Sequence, residues 1–343
     1  MQASAATQLA PSESHATPLF VAADAIGRVL AWPEMIDRLR KSYSVPHTEQ
    51  ASPPRVVARG GGAWVRALAA VPPGSRFMGA KVFGFGRAKS VSYLIALFEQ
   101  DTGALAALID ANLVTGYRTA ATSAVAVDRI APTGPAVIAV LGSGLEAKMH
   151  LRAIATVRPL REVRVHSPTA KNREAFAALF TQELGVPCSA VASAREAVDG
   201  ASIVVAAARS HDETPILKGE WLRDGMTVVS IGSTLPDQRE IDARVVDACD
   251  LIICDMVEEV VHETGDMIAA KQAGVAFEPK LMSLNELLSS PSAGERLRAA
   301  RLPMFKSVGA AIQDVVVAEL AFENAVAAGL ARPLGAKFVM KQT

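Results

Sequence analysis

The stretch AVIAVLGSGLEAKMHLRAI, from Ala136 to Ile154, decides the fold. An apolar run of strand length meets two glycines one residue apart, Gly142 and Gly144, and continues with apolar residues at helical spacing. Gly142 permits a tight strand-to-helix turn, Gly144 lets the backbone approach a pyrophosphate, and Ala147 is the third small residue, where helix packs on strand. The helix N-terminus then faces the phosphates. A GxGxxA turn alone is weak evidence. Here a strand precedes it, a helix follows, and a second strand ends at Ser167, where the residue that reads the adenine ribose belongs. A carboxylate at that place would select NAD. The sequence instead reads VHSPTAKNRE, and the hydroxyls of Ser167 and Thr169 with the cations Lys171 and Arg173 favour NADP, with NAD as the alternative.

The pattern extends outward from this turn. Short β-branched runs alternate with helical segments: VIAVL then EAKMHLRAI, VRVHS then NREAFAALFTQEL, and SIVVAA, MTVVSIG and LIICD further on. Continuous apolar strands are buried on both faces, as in a parallel sheet with helices on each side. Residues 131–307 therefore read as a doubly wound α/β domain that binds a dinucleotide. Residues 19–130 mix a helix from Asp24 to Lys41 with extended runs such as SVSYLIALFE, and end in a helix of small residues, TAATSAVAVDRI. The last helix, VGAAIQDVVVAELAFENAVAAGL, is not another strand–helix repeat. Residues 308–343 are expected to rejoin residues 19–130, making a discontinuous α+β domain. Residues 1–18, MQASAATQLAPSESHATP, lack the basic and apolar regions of a signal peptide and read as a disordered tail.

Composition excludes several classes. The 343 residues, 50% hydrophobic and 20% charged, suffice for two buried cores. Lys plus Arg and Asp plus Glu number 35 each, so no basic excess points to nucleic acid or an anionic membrane surface. The longest apolar runs fall far short of the roughly 20 residues that span a bilayer. Cys188, Cys249 and Cys254 are too few and too irregular for a disulfide framework or zinc site, which suits free thiols in the cytoplasm. The segment VHETGD, with His262, Glu263 and Asp266, lacks HExxH spacing, and no metal is expected.

The chemistry is expected from the other domain. Arg55 in SPPRVV, Lys81 in FMGAKVFGFG and Arg118 in VTGYRTAATS stand among apolar or small residues. An arginine fork binds a carboxylate bidentately, and a lysine beside it polarises or protonates a carbonyl oxygen or imine nitrogen. Together they suit an amino or keto acid.

The segments MGAKV, LFEQDTGALAALIDANLVTGYRTAATSAVA, VLGSGLEA, SIGSTLPDQREID and FKSVGAAIQD, in that order, resemble the ornithine cyclodeaminase and mu-crystallin family from about Arg55 to Gly329. The resemblance implies a Rossmann-type domain carrying NADP or NAD, an N-terminal domain that binds substrate and makes a homodimer, and a substrate cleft between them. Members of the family interconvert amino acids and imines: cyclodeaminases, alanine dehydrogenases, ketimine and cyclic imine reductases, opine-type synthases. It implies that Arg55 and Lys81 contact the substrate carboxylate, and that Arg118 stands where carboxylate meets nicotinamide. Ser90 takes the place of a cofactor-contacting Thr. Thr119, read as beginning a helix, offers its amide and hydroxyl to the pyrophosphate. Leu145 and Glu146 occupy turn positions that touch the cofactor; Glu146 stands where the family often has Gln, and as a carboxylate near phosphates it is expected to point away. Ala208, Ser230 and Ile231 complete the cofactor set, and Val308 the substrate set.

The most informative departure lies in SIGSTLPDQREID. In the ornithine cyclodeaminases the position of Thr234 is an Asp that transfers protons. A threonine hydroxyl holds its proton too tightly to act as a base without activation. It can still orient a substrate nitrogen or a water, which is enough where a cofactor supplies the hydride. Asp237 and Glu240 nearby read as helix-start carboxylates. His150 and His166 read as packing or adenine-stacking residues, Arg209 and His211 as loop residues near the nicotinamide, and Gln313 and Asp314 as residues near the cleft. The resulting expectation is an NAD(P)H-dependent imine reductase or amino acid dehydrogenase for a small 2-imino or 2-amino acid, with Lys81 and Thr234 at the reacting centre. The alternatives are a cyclodeaminase or opine-type condensing enzyme, or a non-enzymatic NADPH-dependent ligand-binding protein.

Overall fold

The computed structural model describes residues 17–208, 212–336 and 338. The expected tail lies outside them except for Thr17 and Pro18, and the Pro18 carbonyl accepts a hydrogen bond from the Leu334 amide at 2.8 Å. The chain opens with β1 (Leu19–Val21), α1 (Ala23–Val29) and α2 (Trp32–Tyr43). The single helix expected from Asp24 to Lys41 is thus two. Pro33 has no N–H to give the Val29 carbonyl, and its ring would strike that carbonyl. The backbone is extended at Leu30 and Ala31 and restarts with Pro33 in the first turn of α2.

Five strands follow in an antiparallel meander: β2 (Val56–Gly60), β3 (Ala63–Ala70), β4 (Phe77–Phe85), β5 (Val91–Glu99) and β6 (Leu105–Asp110). Their inner face buries Leu68, Ala70, Phe77, Ile95, Leu97, Ala107 and Ile109. The outer face leaves Val56, Val65, Val82 and Leu94 exposed, the alternation of a half-covered sheet. Helix α3 (Asn112–Ile130) then leads to the second sheet.

That sheet is built from β7 (Ala136–Leu141), α4 (Leu145–Val157), β8 (Leu160–His166), α5 (Ala170–Leu184), β9 (Cys188–Ala190), α6 (Ala194–Val198), β10 (Ile203–Ala206), β11 (Thr227–Ser230), α7 (Ala243–Ala248) and β12 (Leu251–Cys254). Helices α8 (Val257–Glu263) and α9 (Gly265–Gln272), β13 (Leu281–Ser283), α10 (Leu284–Ser289), α11 (Ala293–Ala299) and β14 (Pro303–Lys306) complete it. All eight strands are parallel, in the order β13-β12-β14-β11-β10-β7-β8-β9. Every residue of β7, β10, β11, β12 and β14 is buried, which is why these runs show no alternation. Strand β14 was not apparent as a strand in the sequence, yet it lies between β11 and β12. Pro303 takes its first position, and Lys306 at its end is tolerated because Asp266 Oδ2 and Ser230 Oγ each lie 2.8 Å from its Nζ.

Helix α12 (Ala311–Ala327) then packs on β4, α2 and α3, and β15 (Arg332–Pro333) pairs antiparallel with β1. The first sheet therefore runs β15-β1-β6-β5-β4-β3-β2, and the chain closes where it began.

Candidate active site

The glycine turn fits a dinucleotide. Gly142 has φ +124°, and a Cβ there would sit 2.6 Å from the Ala207 carbonyl oxygen, so the turn closes only with glycine. A Cβ at Gly144 would meet nothing within 4 Å, and no side chain caps α4, so the amides of its first turn lie open to an anion. Ala147 is fully buried under the helix. At the end of β8, Ser143 Oγ donates to Ser167 Oγ at 2.9 Å, and the Arg173 guanidinium folds back onto the Ser167 and Pro168 carbonyls at 3.0 and 3.3 Å. Thr169 and Lys171 stand beside them at the start of α5.

A cleft of about 470 Å³ separates these strand ends from the inner face of the first sheet. It brings together Arg55, Lys81, Arg118, Thr119, Gly144, Leu145, Glu146, Ala208, Ile231, Thr234 and Val308. At its base Lys81, on the inner face of β4 and 2% exposed, places Nζ 2.9 and 2.8 Å from the two carboxylate oxygens of Asp314. Arg118 sets Nε 3.0 Å from Asp314 Oδ1 and donates from Nη1 to Gln313 Oε1 at 2.7 Å. Gln313 Nε2 in turn donates to Asp255 Oδ2 at 3.0 Å, and Asp255 also accepts from the Ser307 hydroxyl and the Val308 and Gly309 amides. Gly309 has φ +88°, and a Cβ there would collide with the Arg118 guanidinium, so glycine is what lets α12 approach Arg118. Burial pushes the Lys81 ammonium down to about 8, Asp314 pulling it back up and Arg118 adding to the fall.

Thr119, Glu146 and Glu240 stand otherwise than expected. Thr119 does not begin a helix: α3 starts at Asn112, so the Thr119 amide lies within the helix and its hydroxyl donates to the Thr115 carbonyl at 2.7 Å. Glu146 does not point away. It lines the cleft with a buried Oε2 that has no hydrogen-bond partner, and burial raises its pKa while Arg118 lowers it. Ser90 is exposed at the tip of the β4–β5 hairpin, several strand residues beyond Lys81 and outside the cleft lining. Ser230 is fully buried, its hydroxyl donating to Glu240 Oε2 at 2.7 Å and accepting from Lys306. Glu240 starts no helix. It is fully buried and accepts from the Ala208, Ile231 and Gly232 amides, holding the two strand ends that face the cleft. His150 is a packing residue, fully buried between Ser123 Oγ and the Glu146 carbonyl, and burial pushes it down to about 4. The His166 ring bonds the Val191 carbonyl at 3.3 Å. Arg209 and His211 lie outside the described residues.

Arg55 enters the cleft already engaged. Its Nε lies 2.5 Å from Glu259 Oε2, its amide bonds Glu259 Oε1, and Glu263 is 3.6 Å away. The sequence reading also overlooked Arg66, Phe83 and Tyr93, all of which line the cleft. The available signal was phase: Arg66 alternates with Leu68 and Ala70 on the inner face of β3, where a charged residue is out of place unless it serves the cleft.

Residues 83–329 match the model of the ornithine cyclodeaminase/mu-crystallin family. The chain belongs to this family. Ketimine reductase mu-crystallin of Mus musculus is 32% identical over 230 residues, 67% of this chain and 68% of that protein. Delta(1)-pyrroline-2-carboxylate reductase of Bacillus cereus is 29% identical over 244 residues, 71% of this chain and 74% of that protein. The structure of Thermococcus litoralis Delta(1)-pyrroline-2-carboxylate reductase in complex with NADH and L-proline has a TM-score of 0.81 at 27% identity, covering 91% of this chain and 99% of that one. In this member of the ornithine cyclodeaminase/mu-crystallin family, Thr234 directs both its amide and its hydroxyl to Gln238 Oε1, at 3.0 and 3.2 Å. That residue carries no ionisable group to the cleft.

Proposed function

We infer that the protein is an NAD(P)H-dependent reductase of C=N bonds in small 2-imino acids, or an amino acid dehydrogenase running the same reaction in reverse. The observation that carries this reading is the Lys81–Asp314–Arg118 cluster, set in one cleft with the open glycine turn and with Thr234 where an acid would serve deamination. A dinucleotide held at the Gly142–Gly144 turn and the start of α4 would supply the hydride for the imine carbon. The chain's own residues do the rest. Arg118 Nη2, with no acceptor among the described residues, takes the substrate carboxylate together with Lys81. Lys81, protonated at neutral pH with its pKa at about 8, gives a proton to the imine nitrogen and is returned to charge by solvent. Asp314 holds Lys81 and Arg118 at one point, and Thr234 orients the nitrogen or a water. Arg55, spent on Glu259, shapes the wall and the Val308 loop more than it binds.

NADP is the preferred cofactor on this reading, supported by Lys171 and Arg173 in the first turn of α5 and by the lack of a carboxylate among Ser167 to Arg173. A homodimer is supported by the exposed apolar row Val56, Val82 and Leu94, with Ala67 between them in register, on the uncovered face of the first sheet. A cytoplasmic location is supported by three free cysteines, and no helix among the described residues is long and apolar enough to cross a membrane.

The test is titration with NADPH and NADH by nicotinamide fluorescence, then addition of cyclic imines and of 2-oxo acids with amines. Oxidation of a cofactor by one member of the panel is expected. Lys81→Ala should abolish it while cofactor binding persists. Tight cofactor binding with no oxidation, and ammonia release from a diamino acid, would replace this reading with a cyclodeaminase.

A further inference from the structure

We propose that Arg66 reads a second carboxylate on the substrate side chain, so that the cleft takes 2-imino and 2-amino diacids. The proposal rests on the reading of the cleft as an imino acid site. Arg66 is 7% exposed and lines the cleft from the inner face of β3. Its guanidinium carbon stands 5.3 Å from the Trp64 ring centroid and 5.6 Å from that of Phe83. These rings hold the guanidinium plane by cation–π attraction but offer nothing to its N–H edges. Nε is buried without an acceptor, and the Arg66 side chain makes neither hydrogen bond nor ion pair among the described residues.

The other cations of the cleft are engaged. Arg55 is bonded to Glu259 and lies 3.6 Å from Glu263, and Lys81 and Arg118 share Asp314. Glu259 and Glu263 act on Arg66 through space but are held by Arg55, and no carboxylate pairs with Arg66 directly, although a buried cation is stable only when paired. A planar fork with open donor edges, stacked in an aromatic slot, matches a ligand carboxylate. The spacing also fits a short diacid. Lys81 Nζ stands 5.4 Å from the same Phe83 centroid, so one carboxylate can meet Lys81 and Arg118 while the other reaches Arg66 across one ring.

The test compares each acid with its neutral isostere: L-aspartate with L-asparagine, and L-glutamate with L-glutamine. Binding is measured calorimetrically under saturating NADPH, which cannot accept a hydride, so no turnover intervenes. In at least one pair the acid should bind about tenfold or more tightly than the amide. Arg66→Gln should bring that ratio close to one, and Arg66→Lys, which keeps the charge but loses the fork, should leave a ratio between the two. NADPH fluorescence reports whether each variant is folded; if Arg66→Gln is not, the fall in ratio in Arg66→Lys decides. A wild-type ratio near one, a ratio unaltered in the variants, or no binding of either acid overturns the proposal. Failure of the reductase reading would look different: acid preference retained, with no imine oxidising the cofactor.

Discussion

Asp314→Asn isolates the electrostatics of the cleft. In the structure Asp314 is fully buried, accepts a hydrogen bond from Lys81 at Oδ1, holds Oδ2 2.8 Å from the same nitrogen and lies against Arg118. Among the influences on Lys81 it is the largest that raises the pKa, opposing burial and Arg118, which lower it to about 8. An opposite charge at this range is worth about 1–3 pKa units. Without it the ammonium form is lost at correspondingly lower pH. If protonated Lys81 delivers the proton, kcat/KM of the wild type is level below about 8 and falls as pH rises past it, because kcat/KM reports the free enzyme. In the variant the same alkaline limb should begin about 1–3 units lower. Measured about half a unit below the wild-type limb, a shift of about one unit costs about threefold and a shift of about two units about 25-fold, and activity returns on acidification. Stability should also fall, by less than the roughly 3–5 kcal/mol typical of a broken buried pair, since Lys81 can shed its proton and Gln313 still holds Arg118. The assay is a pH profile of imine-dependent NAD(P)H oxidation, with cofactor fluorescence as the control for folding. A limb that stays at the wild-type pH while the plateau drops would refute Lys81 as the titrating acid.

The glycine turn supports two further predictions. Burial raises the Glu146 pKa, so its ionised form appears beside the dinucleotide site only as pH climbs through that raised value. NADPH affinity of the wild type should therefore weaken with rising pH, by about two- to fivefold, and Glu146→Gln should remove the dependence and bind more tightly at alkaline pH; fluorescence titrations across pH check this. Gly144→Ala should leave the thermal midpoint nearly unchanged, because its Cβ meets no atom within 4 Å and its backbone is extended, yet weaken NADPH by about tenfold or more, because the methyl occupies the phosphate side of the turn. Normal cofactor affinity in that variant would move the pyrophosphate elsewhere.

What the sequence by itself determined is local. The left-handed φ of Gly142 and the wholly apolar strands β7, β10 and β12 each follow from a few adjacent residues, because turn sterics and burial on both faces leave their mark on neighbouring positions. The identities of Lys81 and Arg118 were legible too, as cations in apolar surroundings. Only the tertiary structure decided how those charges are used. Lys81 and Asp314 lie 233 residues apart in the chain, Arg118 and Gln313 195, and Arg55 and Glu259 204. No periodicity spans such separations. The topology brings α12 against the first sheet and Glu259 of α8 to Arg55, and it thereby paired Arg55 with a protein carboxylate, left Ser90 at a hairpin tip, turned Glu146 inward and left Arg66 without a directly paired carboxylate. Whether a charge in a cleft is free for a ligand depends on which acids the fold places within about 4 Å of it, and distance is a property of the packed chain rather than of its spelling.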